Sequence, residues 1–75
     1  MLAYIMITLN TNKEQEIYAK LKELKNVKEI HILFGEWDII SLVEVESAEH
    51  LATFVIDKVR VMPEVELTST MIVAK

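Results

Sequence analysis

The chain has 75 residues, 52% of them hydrophobic, with a formal net charge of −4, two histidines and no cysteine. That length makes one small domain whose core by itself supplies only about 3–5 kcal/mol, and without cysteine neither a disulfide nor a thiolate metal site can reinforce it. The eight Lys and Arg form no basic stripe, which argues against direct nucleic-acid binding, and no apolar run is long enough to cross a bilayer.

Residues 2–9, Leu-Ala-Tyr-Ile-Met-Ile-Thr-Leu, predict a first strand. Ala3, Ile5, Ile7 and Leu9 share one face, and Leu2, Tyr4, Met6 and Thr8 share the other. Both faces are largely apolar, so the strand is expected to be covered on both sides. Asn10-Thr11-Asn12 ends it and offers helix caps, with Thr11 and Glu14, or Asn12 and Gln15, at capping-box spacing. Ile17, Leu21 and Leu24 recur at helical intervals and predict a helix over about residues 12–25, with Asn26 as a left-handed stop.

Residues 27–34 and 38–46 read as second and third strands joined through Gly35, the only glycine. A reversal this short needs a position with positive φ, which glycine adopts without a Cβ clash. Asp38 is placed to accept backbone N–H groups in such a turn. The plain reading is a β-hairpin turn. The sharper one is a binding edge, where Trp37, the Asp38 carboxylate and bare backbone at Gly35 meet. Ser47 is the next N-cap, and Ala48, Leu51, Ala52, Val55, Val59 and Met62 stripe a second helix that Pro63 closes. The last strand runs over residues 65–74, setting Val65, Leu67, Ser69, Met71 and Val73 against Glu66, Thr68, Thr70, Ile72 and Ala74.

The order βαββαβ predicts an α+β, ferredoxin-like domain: a four-stranded antiparallel sheet with both helices on one face. Strands apolar on both faces then leave an apolar sheet face bare. With no other reinforcement available, two copies are expected to pack sheet to sheet, as in a dimeric α/β barrel. No stable monomer is expected at micromolar concentration. His31, among apolar neighbours, reads as a core or interface residue, and Met1, Met6, Met62 and Met71 read as core. No metal or cofactor is expected.

Gly35-Glu36-Trp37-Asp38 resembles the Gly-x-aromatic-Asp turn of the effector-binding (RAM) domain of the Lrp/AsnC transcription regulators. Residues 62–73, Met-Pro-Glu-Val-Glu-Leu-Thr-Ser-Thr-Met-Ile-Val, resemble that domain's Pro-Gly-Val-x-x-Thr-x-Thr-x-Ile-Val segment. The resemblance covers essentially the whole chain. It implies a non-enzymatic, cytoplasmic module that dimerises through its sheets, assembles into octamer-like rings and binds a small effector, typically an amino acid, between dimers. It implies ligand-lining roles for Gly35, Glu36, Trp37 and Asp38, and weaker ones for Thr68, Ser69 and Thr70. There are two departures. The first strand begins at Leu2 with no helix-turn-helix before it, so residues 1–75 read as a stand-alone form of the domain with no operator-binding helix. Glu64 stands where the family has glycine.

Two alternatives share this fold. One is a small dimeric α/β-barrel enzyme, similar to cofactor-free monooxygenases, with its pocket between sheet and helices, where only His31, Tyr4 and Tyr18 offer polar groups. The other is a structural partner that co-assembles with a full-length regulator and binds no effector.

Overall fold

A computed structural model describes residues 1–75. The elements are β1 (Leu2–Leu9), α1 (Glu14–Lys22), β2 (Val27–Ile32), β3 (Ile39–Glu44), α2 (Ala48–Phe54), which continues through a π-helical segment (Val55–Val59), and β4 (Val65–Ile72). The four strands form one antiparallel sheet in the order β2-β3-β1-β4, the expected ferredoxin-like arrangement. No helix is long and apolar enough to cross a membrane.

Period-2 alternation sorts the strand residues onto two faces. On the helix side Ala3, Ile5 and Ile7 of β1, Ile39 and Val43 of β3 and Ile30 of β2 are buried. They pack with Ile17 and Leu21 of α1 and with Leu51, Phe54, Val55 and Val59 of the second helix. Each such side chain contributes about 1.5–3 kcal/mol when fully buried. Ser41 is the one buried polar residue, and its hydroxyl donates to the Ile5 carbonyl at 3.4 Å. The other face carries Tyr4 and Met6 beside Leu42 and Ile40 of β3, and beside Met71 and Ser69 of β4. Leu2, Tyr4, Leu67 and Met71 are exposed there.

Several local expectations are corrected. Helix α1 starts at Glu14, not near residue 12, and Lys13 occupies the N-cap with no side-chain capping bond. Thr11 instead accepts the Lys13 N–H at 3.3 Å, a local turn that competes with the capping box. Asn26 is not left-handed, since no residue other than glycine has positive φ. Its amide donates to the Glu44 carbonyl at 2.9 Å and its own carbonyl accepts the Glu44 N–H at 2.9 Å, so a tertiary clamp on β3 takes the place of a helix stop. Ser47 caps α2 as expected, accepting the His50 N–H at 3.1 Å. The helix ends at Val59, ahead of Pro63, where the Arg60 N–H closes an i→i+5 bond to Val55 at 2.8 Å.

The strands β2, β3 and β4 are shorter than read from the sequence, ending at Ile32, Glu44 and Ile72. His31 is not in the core. It lies exposed on the open sheet face, with Nε2 3.6 Å from Glu29 Oε1. Of the methionines, Met62 is half-buried and packs against the core as expected, whereas Met6 is half-buried on the open face and Met1 and Met71 are exposed.

Candidate ligand-binding site

The loop between β2 and β3 is closed by the Leu33 N–H donating to the Asp38 carbonyl at 2.8 Å. Gly35 has φ +143°, and nothing lies within 4 Å of a Cβ built there. The need for glycine is therefore conformational and not steric. Gly35→Ala is expected to cost about 1–3 kcal/mol of stability, read by urea denaturation at fixed protein concentration. A variant as stable as wild type would overturn this account of the loop.

Asp38 does more than satisfy its own turn. Its N–H donates to the Ile7 carbonyl at 2.9 Å, and its Oδ2 accepts the Leu9 N–H, 29 residues away, at 2.7 Å. Ile7 and Leu9 present their backbone polar groups to the same side of β1, so the carboxylate stands in for the next carbonyl of the β1–β3 ladder. The opposite edge of β1 is irregular at the same level. Thr8 pairs with Leu67 but Leu9 with Val65, leaving Glu66 as the bulged residue, and Thr8 Oγ1 accepts the Leu67 N–H at 3.0 Å. Asp38 thus pins the loop to β1 with one oxygen, and its Oδ1 has no hydrogen-bond partner within the chain.

The rest of the loop is open. Phe34 is fully exposed, Glu36 is exposed and Trp37 is half-buried. By sequence pattern Phe34 ends the second strand. Its place at the loop tip makes it a candidate ligand or subunit contact that strand periodicity concealed. No cleft of the single chain is lined by residues 34–38.

The three β4 candidates do not form one group. Ser69 lies on the open face beside Met6, whereas Thr68 and Thr70 lie on the helix side beside Ile7 and Ile5. There they line a cleft of about 410 Å³ between α2 and β4, with Arg60. The loop and this cleft are separate places on the single chain. Glu64 is half-buried at the start of β4; its carbonyl accepts the Asn10 N–H at 2.9 Å, and its Oε1 is enclosed with no hydrogen-bond partner. No cluster of His, Asp or Glu is arranged to hold a metal ion. Tyr4 stands on the open face, while His31, on the edge strand β2, lines a surface depression with Tyr18 and Lys22 of α1.

The sheet order, the helices on one face and the pinned glycine loop define a ferredoxin-like α+β domain. The sequence model of the Lrp/AsnC ligand binding domain matches residues 2–75, and the chain belongs to that family. It is 32% identical over 75 residues to the HTH-type transcriptional regulator FL11 of Pyrococcus abyssi, covering 100% of this chain and 49% of FL11. It therefore spans about half the length of that regulator. Among solved structures, FFRP-DM1 is 39% identical, with a TM-score of 0.91 and 96% of each chain covered. AsnC of E. coli is 28% identical with a TM-score of 0.92, over 99% of this chain and 50% of AsnC. The regulator NMB0573 of Neisseria meningitidis, solved as a complex with L-Met, shares the fold at 20% identity with a TM-score of 0.87, over 99% of this chain and 49% of its own.

Proposed function

We propose that this chain is a non-enzymatic effector-binding and association module of an Lrp/AsnC regulatory system. It takes a small amino acid at the Gly35–Asp38 loop, in a cleft completed by neighbouring copies. The observation that carries the reading is the loop itself. One Asp38 oxygen is committed to Leu9 while the other is free to accept from an α-ammonium, and the same loop carries an exposed Phe34 and a half-buried Trp37. Charge-assisted bonds of that kind are the strong ones. The single chain forms no cleft at this loop, so a second copy has to supply the opposing wall. The open sheet face supports the same conclusion. Four strands about 4.8 Å apart and about 20 Å long present a projected face of roughly 400 Å², the size of patch that is often functional.

The test is calorimetric titration of a panel of amino acids, with oligomer size followed by sedimentation. Some member of the panel is expected to bind. Trp37→Ala is expected to lower both affinity and the order of assembly, because its indole lines the cleft and meets the adjoining subunit. Failure of every amino acid to bind the wild-type assembly would overturn the reading and favour a structural partner of a full-length regulator.

A further inference from the structure

We propose that the Glu29–His31 pair on β2 makes the sheet-to-sheet contact sensitive to pH, so that two copies close more tightly as pH falls from about 8 to about 6. This rests on the reading that copies meet through the open sheet face, and it gives that face a titrating element.

The register places the pair. Glu29 lies opposite Leu42 and His31 opposite Ile40, and those two β3 residues lie opposite Tyr4 and Met6. Residues directly paired across strands share a face of the sheet, so Glu29 and His31 border the open apolar face along its β2 edge. His31 Nε2 is 3.6 Å from Glu29 Oε1, and the His31 and Glu29 side chains are 64% and 62% exposed. The pair is solvated in the single chain and loses that water when a second sheet covers it.

The rest of the face carries little charge. β1 presents Leu2, Tyr4, Met6 and Thr8 there, and β4 presents Leu67, Ser69 and Met71. The one other acid of the strands on this face is Glu44, opposite Leu2, and the Lys28 ammonium stands 3.8 Å from its Oε1. With Glu44 balanced by Lys28, the charge of the face is set by Glu29 and His31. The face is net negative while the imidazole is neutral and uncharged overall once it is protonated. Among side chains, imidazole alone ordinarily changes charge between about pH 5 and pH 8.

No other acid competes for this imidazole. Glu29 is the only carboxylate within 4.0 Å of it. From β3 its direct neighbour is the apolar Ile40, and Asp38 turns a carboxylate oxygen to the Leu9 N–H. From α1, Tyr18 and Lys22 share an edge depression with Lys28, Glu29 and His31, and the Lys22 ammonium lies over the Tyr18 ring at 5.4 Å.

A two-fold axis between two stacked sheets sets β2 of one copy over either β4 or β2 of the other. In the first case the pair is covered by apolar and hydroxyl side chains without charge. In the second it meets its own symmetry copy, again one acid and one imidazole. Both withdraw water from Glu29. A desolvated carboxylate is costly beside a neutral imidazole and is compensated beside an imidazolium. Closure therefore favours the protonated form and takes up protons. By linkage, the contribution is complete on the acid side of the imidazole titration and is lost as pH rises through it. It is lost again near about pH 4, where the carboxylate itself takes a proton.

Fluorescence-detected sedimentation follows tight association far below micromolar concentration, and it gives the dimer dissociation constant at constant ionic strength. For the wild type that constant should rise by about 3- to 30-fold between about pH 6 and pH 8, the range for two partly covered ion pairs per dimer. His31→Gln should remove the dependence. Glu29→Gln should reverse its sign, because the imidazolium then enters the contact with no counter-charge. His50→Gln, which changes the exposed histidine of α2, should leave the wild-type dependence intact. The proposal is overturned if the wild-type constant is unchanged or falls as pH rises, if either β2 variant keeps the wild-type dependence, or if His50→Gln abolishes it. A Met6→Glu protein of wild-type size would refute the sheet-to-sheet contact itself. A wild type that Met6→Glu dissociates, but that ignores pH, would refute the switch alone.

Discussion

Met6→Glu is expected to dissociate the assembly. Met6 lies mid-sheet on the open face, between Ile40 of β3 and Ser69 of β4, and is half-buried even in the single chain. If two sheets close on each other about a two-fold axis, the substitution enters the interface twice. It sets two like charges in an apolar contact with no cation on this face of the strands beside it. An uncompensated buried charge costs about 3–5 kcal/mol, so a dimer dissociation constant should rise by at least about three orders of magnitude. Sedimentation equilibrium over the micromolar range reads the effect directly. Lys20→Glu, an exposed charge change on α1, serves as the control. A Met6→Glu protein of wild-type size would show that the open face is not the contact between copies. Because small cores depend on association, the variant's stability should also become independent of protein concentration.

The pair Asp38→Ala and Asp38→Asn should separate two roles of one side chain. Alanine leaves the Leu9 N–H without the acceptor it meets at 2.7 Å and should cost about 1.5–3 kcal/mol of stability. Asparagine keeps a carbonyl oxygen for that N–H and should cost much less, while removing the charge offered to an α-ammonium. Effector affinity should therefore fall by about 10- to 150-fold in Asp38→Asn with the fold and assembly retained. Urea denaturation at fixed protein concentration gives the first quantity and calorimetric titration the second. An Asp38→Asn protein that binds its amino acid undiminished would move the site away from the loop. An Asp38→Ala protein of wild-type stability would remove the structural role.

Much of the architecture was legible in local pattern. Alternation in residues 2–9 and 39–44, helical spacing through Ile17 and Leu21, and Ser47 before the second helix are signals carried by neighbours in the chain. They sufficed for the element order, and with it the sheet and the side on which the helices lie. Gly35 was likewise readable, because a positive φ is a property of the residue itself. The open apolar face followed from counting: strands apolar on both sides exceed what two helices on one side can cover.

What the chain could not disclose by itself depends on residues far apart in sequence. Local spacing makes Thr11 and Asn12 candidate caps and Asn26 a candidate stop, because it cannot tell a cap from a turn or from a clamp on β3. The partner of Asp38 is Leu9, and only the register of β3 against β1 brings the two together. Thr68 and Thr70 could be separated from Ser69 by alternation, but that they share a cleft with the second helix depends on how that helix packs against β4. Local sequence specifies backbone preference and which face is apolar. Which polar groups meet is decided by register and by the aim of the helices, and those exist only once the sheet has closed.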